Sequence, residues 1–459
     1  MDRNKIEERL ELALRPAEKP PTLEEVLEQV SRHGVLRGPV DWVFPGWMLY
    51  VEYATQKIIE TFPLSEERRQ LLNFRDAMKR LLLEAWMQAK EKLTMLYKAV
   101  VEGTYRIERN RLYAPDGSWM YVGRTTMYIP IHDISAETYF PDVLKLPRKR
   151  LELLQLGWRA SDEGDKDGQP VMGTTQPWQV FAWAALRYGE LYLRIASANL
   201  TREGVSVLIH VIANSWRQRW SKDEAVDLVI NHFRRGEWAP LLTMWLGDGK
   251  ARWRRIGRLE VAIAAKEPWR LGLVASTYEA IVAKGREAFV KLMEAAGIYG
   301  ELLELLRTHK WNYIKQSVQK KKGIDILREK YGEASTLEEE EIRMGDVVIL
   351  GIAMNLQLVH GKGGSLIARY STRDVGKALA IAERLESAGL RPNIVRSNAN
   401  YVVYIATADL LRLAERDGEI RRAIALYLAE KVKNGTPRQR EIAEKILKRR
   451  PIFSLSGQR

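Results

Sequence analysis

The chain has 459 residues, 46% of them hydrophobic and 29% charged. That is room for about two to four domains, and its apolar runs fall short of the ~18–20 residues a membrane span needs. The formal charge of +14 and a pI near 9.6 point to a polyanionic partner, nucleic acid ahead of an acidic membrane surface. The absence of cysteine removes disulfides, thiolate nucleophiles and cysteine zinc sites together.

The first residues, "MDRNKIEERLELALRP", are charged throughout and do not read as a secretory signal, so the expectation is a soluble cytoplasmic protein. Abundant Arg, Glu, Lys, Leu, Trp and Tyr without Cys suits a thermophile. From residue 1 to about 160 the periodicity is mostly helical, clearest in Ser65–Gly103, which Gly103 stops. "YRIERNRLYAPDGSWMYVG" alternates around Pro115-Asp116-Gly117 and predicts a β-hairpin. Residues 161–176, rich in Gly and Asp, read as a solvated linker. They approach an EF-hand loop but carry Thr174 where the bidentate Glu is needed. Residues 177–237 read as a helical segment: Pro177 opens one helix to about Asn199, "REGVSVLIHVIANSWRQRW" is a second, and a Ser221/Glu224 capping box starts a third.

From Trp238 the pattern changes. An apolar helix, Ala239–Leu246, ends in Gly247-Asp248-Gly249, and an alternating stretch puts Arg252, Arg254 and Arg258 on one face. Helices follow from Tyr278 to about Gln319. A first unit thus spans 238–330. A second spans 338–433 and reads helix, hairpin, helix, hairpin, helix. Its first helix is "EEIRMGDVVILGIAMN", its hairpins turn at Gly361–Gly364 and Asn398–Asn400, and Gly389 closes the helix between them. Residues 434–459 form a basic helix and tail behind Thr436-Pro437.

This α-β-β-α-β-β-α order resembles the LAGLIDADG homing-endonuclease core, and "LLTMWLGDG", Leu241–Gly249, resembles its motif. The resemblance implies an α+β fold with a helical N-terminal region and a pseudo-two-fold core of antiparallel saddle sheets. In it two motif helices pack side by side, with Gly247 and Gly249 flanking the metal-binding acid Asp248. The second motif helix would be Val347–Asn355. There Ala353 takes the small-residue position, Met354 stands where the second acid should be, and Asn355 where the glycine should be. One acid of two is therefore absent. Stretches such as "AAKEPWRLG", "AGLRPNIVR" and "NYVVYIATADLLRLAE" also resemble the crenarchaeal paralogous-repeat proteins of type 2b, which implies an archaeal, mobile-element background.

These readings imply a monomeric, non-membrane nucleic-acid-binding protein, DNA favoured over RNA, on a degenerate endonuclease scaffold. Its candidate contacts are Arg252, Arg254, Arg258, Lys362, Arg369, Arg391 and Arg396. The alternative is a Mg²⁺-dependent endonuclease or nickase using Asp248 with Glu260, Glu267 or Asp346; a maturase-like RNA binder or a protein scaffold is a further one. No cofactor is implied beyond Mg²⁺ in the catalytic case. The six histidines lack ligand spacing, "HGKGGS" reads as a turn rather than a phosphate loop, and Trp253 is the tryptophan nearest the candidate contacts.

Overall fold

The computed structural model describes residues 3–251, 259–319, 347–360, 365–397 and 399–453. They fall into two units, residues 1–319 and 320–459, each with its own apolar core. The N-terminal region and the residues up to Gln319 belong to one unit.

The first unit opens with α1 (Arg3–Leu14), α2 (Leu23–His33), α3 (Val40–Thr61) and α4 (Glu67–Glu102). A Thr22/Glu25 capping box starts α2, and Gly103, at a φ of 72°, ends α4. Then comes an antiparallel meander of β1 (Arg106–Glu108), β2 (Arg111–Tyr113), β3 (Trp119–Val122) and β4 (Met127–Pro130), followed by β5 (Ser135–Phe140). Next are α5 (Arg148–Arg159), β6 (Glu163–Lys166), β7 (Gln169–Thr174), α6 (Pro177–Ala184), β8 (Gly189–Thr201), β9 (Gly204–Ala213) and α7 (Lys222–Arg234). All nine strands join one sheet, in the order β1-β2-β3-β4-β8-β9-β7-β6, with β5 also beside β8.

Two expectations change here. Residues 161–176 are no linker: β6 and β7 form a hairpin whose turn is Asp167-Gly168, both at positive φ, the pairing a two-residue hairpin favours. The helices expected over 189–213 are the long β8/β9 hairpin. Val205, Val207, Ile209 and Val211 are all buried, a period of two built from β-branched residues. The helix from Pro177 stops at Ala184.

The unit closes with α8 (Ala239–Asp248), β10 (Glu260–Ala264), α9 (Pro268–Leu271), β11 (Leu273–Ser276), β12 (Glu279–Lys284), α10 (Arg286–Ala296), α11 (Ile298–Leu305) and α12 (His309–Gln319). Its second sheet runs β10-β12-β11, so residues 278–284, expected as helix, are mostly strand.

In the second unit β13 (Val347–Ile349) and β14 (Ile352–Val359) form a hairpin turning at Leu350-Gly351, both at positive φ. The expected motif helix Val347–Asn355 is therefore strand. Ile352, Met354, Leu356 and Leu358 are buried while Asn355, Gln357 and Val359 are exposed, and that alternation settles the local choice. The unit continues with β15 (Ser365–Thr372), α13 (Val375–Ser387), β16 (Asn393–Ser397) and β17 (Asn400–Ala406). It ends in α14 (Thr407–Arg416), α15 (Gly418–Asn434) and α16 (Pro437–Arg449). Strand order is β13-β14-β15-β17-β16. Asp374, Asp417 and Thr436 cap three of these helices.

The fold is α+β; among the described residues it has three sheets of nine, three and five strands, each an open path. None of these paths closes on itself, and the segment expected as the second motif helix is the β13/β14 strand pair. The pseudo-two-fold core with paired saddle sheets is thus corrected. A smaller regularity remains. β6-β7-β9-β8 and β14-β15-β17-β16 share one order, first, second, fourth, third, with a helix joining the second strand to the third.

Candidate functional site

Two helices of the first unit, the amphipathic α5 and the apolar α8, run parallel and in direct contact. Thr243 Oγ1 donates to the Leu154 carbonyl at 2.7 Å. A Cβ placed at Gly157 would collide with the Pro240 carbonyl oxygen and Thr243 Oγ1 and stand 2.7 Å from Met244 N. One placed at Gly247 would collide with Ser161 Oγ and lie 3.2 Å from Asp162 N. Glycine at both positions is what lets the backbones approach. Contacts Leu154–Thr243, Gly157–Met244 and Ser161–Gly247 keep the same direction along both chains, so both C-termini lie at one end.

Each C-terminus delivers an aspartate. Asp248 is the last residue of α8, and Asp162 follows α5 by three residues, just before β6. Both are partly exposed. Asp162 Oδ2 accepts a hydrogen bond from Gln179 Nε2 at 2.5 Å, and Gln179 accepts one from the Thr174 hydroxyl at the end of β7. Burial lifts the Asp248 pKa to about 6, the like charge of Asp162 adds to the lift, and Lys222 and Lys310 oppose it. Under the pair lies Lys310, on α12 and 6% exposed. Its ammonium donates to the Leu246 carbonyl at 2.7 Å and to that of Gly247, capping the end of α8. Burial lowers the Lys310 pKa to about 8 against the pull of Asp162 and Asp248. The neighbouring His309 is half-buried, with its ring edge-on to Trp178. Burial, with Lys310 and His33 adding to it, holds its pKa down at about 3, so it is neutral.

The arrangement is two carboxylates and two helix C-termini converging at one spot, compensated on the buried side by one lysine. Oxygen donors of this kind suit a hard divalent cation. No group of three or more Asp, Glu, His or Cys that could hold a metal exists among the described residues, and the site there offers two carboxylates.

A second feature adjoins it. The strand faces turned away from the core in β6, β7, β9 and β8 carry Lys166, His210 and Arg194, with Lys166 and Arg194 exposed. Burial lowers the His210 pKa, and the positive charges of Arg194 and Lys166 lower it further, so the three are electrostatic neighbours. The Thr174–Gln179–Asp162 chain ties the end of β7 to the acid pair.

The predicted residues fare unevenly. Asp248, Gly247 and Gly249 stand at the α8 tip as expected, with Leu241 buried in that helix. Met354 is not the counterpart of Asp248: it is a core residue of β14, with half-buried Ala353 and exposed Asn355 beside it. Arg252, Trp253, Arg254, Arg258, Asp346, Lys362 and the Gly361–Gly364 turn lie outside the described residues. Arg369 shares a register row with Asn355, Tyr404 and Asn393 on the outward side of its sheet. Arg396 has the parity of buried Ile394, on the other side. Arg391 Nε lies 3.5 Å from the buried Asp409 carboxylate. Glu267 is paired with Arg270, and Glu260 starts β10.

Sequence reasoning missed Asp162 because its segment reads as linker. Yet "LLQLGWRASD" follows the same grammar as "LLTMWLGD": an apolar helix, a glycine where a neighbour must come close, then an aspartate at the tip.

No family model matches the chain, and neither the curated proteins nor the solved structures contain a match to it. With the open sheets and the β13/β14 hairpin, this sets the homing-endonuclease identity aside.

Proposed function

We propose that the chain binds nucleic acid, duplex DNA ahead of RNA, through the outward face of β6-β7-β9-β8. The observation that carries the reading is the Lys166–His210–Arg194 cluster on an outward sheet face whose end holds the acid pair. Antiparallel sheets of this kind keep one face on the core and offer the other, and cationic side chains on it neutralise phosphate. On this reading the protein works as a monomer in the cytoplasm; no helix among the described residues is long and apolar enough to cross a membrane. The test is a titration with random-sequence duplex over a range of salt. The expected affinity falls with a log–log slope of about −0.9 per neutralised phosphate, and Lys166→Ala/Arg194→Ala flattens it. Absence of binding at low salt, or binding indifferent to salt, ends the proposal.

A second reading, metal-assisted phosphodiester cleavage, is favoured by one specific observation: Asp248 has a carboxylate partner after all, Asp162. Mg²⁺ characteristically takes one or two carboxylates and completes its shell with water and substrate phosphate, so Asp162 and Asp248 would hold it jointly with the bound strand. Incubating supercoiled DNA with Mg²⁺ or Mn²⁺ separates the readings. Nicking that disappears in both Asp162→Asn and Asp248→Asn supports cleavage. Equal binding by all three proteins with no nicking by any leaves a binding protein.

A further inference from the structure

The meander β1–β4 has an outward face unlike an ordinary solvated sheet. Its inward residues, Leu112, Met120, Val122, Met127 and Ile129, are buried, with α4 packed against β3 and β4. Outward, where Thr, Lys and Glu usually stand, it carries Tyr113, Trp119, Tyr121 and Tyr128, all partly exposed, and the exposed Arg106 and Arg111. Two register rows organise them. One runs Arg106–Tyr113–Trp119 across β1, β2 and β3. The other runs Arg111–Tyr121–Tyr128–Asn199 from β2 to β8. The Arg106 guanidinium lies 4.9 Å from the centre of the Tyr113 ring and that of Arg111 4.5 Å from Trp119. Tyr121 and Tyr128 stack at 5.1 Å. Arg106 also pairs with Glu108 at 2.9 Å, both side chains well exposed, a contact that water and salt weaken.

We propose that this face is a binding platform for single-stranded nucleic acid. A guanidinium already held over a ring is pre-ordered, so little side-chain freedom remains to be lost on binding. Such a plane takes an unpaired base on its free side and a phosphate at its edge. Aromatic rings every second residue on adjacent strands offer successive stacking surfaces, and the arginines between them supply positive charge for the backbone. The platform goes beyond the duplex reading: it uses other strands of the same sheet and a ligand whose bases are free.

The bland reading is that the ladder only stabilises the meander, as cross-strand aromatic pairs do. The two differ in what a substitution moves. The test measures anisotropy of a labelled oligothymidylate of about 20 nucleotides, longer than the ~4–16 nucleotide sites usual for such grooves. It uses the full chain and follows each variant's thermal melt. Arg106→Ala/Arg111→Ala is expected to weaken binding at least about tenfold and Trp119→Ala at least about fivefold, the size of one base-stacking contact. Arg111→Lys keeps the charge but not the plane, and is expected to lose affinity by about threefold or more without a change in melting. Duplex affinity stays within about twofold in all three, because they leave Lys166 and Arg194 in place. Failure of the full chain to bind oligothymidylate at low salt overturns the platform. So does unchanged binding by folded Arg111→Lys and the double-alanine variant. Loss of oligothymidylate binding in Lys166→Ala/Arg194→Ala equal to that in the platform variants moves the strand to the other face and also overturns it. Loss of duplex binding alone in that variant is a result about the proposed function only.

Discussion

Asp248 titrates near pH 6 because burial strips water from its carboxylate and Asp162 adds like charge, while Lys310 and Lys222 pull the other way. The two single changes therefore move it in opposite directions. Asp162→Asn should bring the Asp248 pKa down toward the usual carboxylate range, and Lys310→Met should push it above 6; carboxyl-carbon NMR titration reads both. A shift of the same sign in the two variants would mean that the three groups do not share one field. The stability consequence follows from the folded pKa lying above the unfolded one. Between about pH 4 and pH 6 the folded state holds the extra proton, so stability is lost as pH rises through that window and the penalty is constant above it. Asp248→Asn should accordingly stabilise the first unit by about 1–3 kcal/mol at pH 8 and by almost nothing at pH 3.5. Urea melts at the two pH values check it, and equal stabilisation at both would refute it.

Between α5 and α8 the decisive atoms are missing ones. A methyl at Gly157 meets a backbone carbonyl that cannot rotate away, so Gly157→Ala should destabilise the first unit by about 1–3 kcal/mol through overpacking. Gly418→Ala meets nothing within 4 Å and serves as the control, neutral or slightly stabilising. If Gly157→Ala melts like wild type, the close helix pair is wrong. The same elements show what a sequence can disclose. Helices with one apolar stripe and clear ends were legible: α4 with Gly103, α7 with its Ser221/Glu224 box, and α16 behind Thr436-Pro437. Hairpins with a marked turn and one wet face, β14/β15 and β16/β17, were legible too. Segments with apolar residues on both parities were not. "GVSVLIHVIA" is buried at eight of its ten positions, so neither a helical stripe nor an alternation stands out. "VVILGIAMN" is apolar enough for a helix, and only the left-handed Leu350-Gly351 turn breaks it. The place of Asp248 at the end of its helix was legible; that of Asp162 was not. Asp162 depended on recognising α5 and α8 as partners whose aspartates stand 86 positions apart in the chain, a relation that exists only once the helices pack.

Among the described residues, two apolar cores, one running from Ile6 to Ile314 and one from Val347 to Phe453, have no buried residue in common. Cooperative unfolding follows shared burial, so calorimetry should resolve two transitions rather than one. Gly157→Ala identifies the first unit's transition, because it should lower that one and leave the other in place. The assignment then gives a way to locate nucleic acid without mutating any contact. A ligand that binds only the folded form of one unit raises that unit's transition through mass action, by about 2.7 kcal/mol when present at 100 times its Kd. Duplex at low salt should therefore raise the transition that Gly157→Ala lowers, because Lys166, His210 and Arg194 all belong to that unit. The shift should shrink as salt displaces the phosphate contacts. A duplex that raises only the other transition places binding on the second unit, where Arg369, Asn355 and Tyr404 share a row, and removes the β6-β7-β9-β8 face from consideration. A duplex that moves neither transition at low salt and neutral pH removes duplex as a ligand of either unit and leaves the single strand of the β1–β4 platform as the nucleic acid to test.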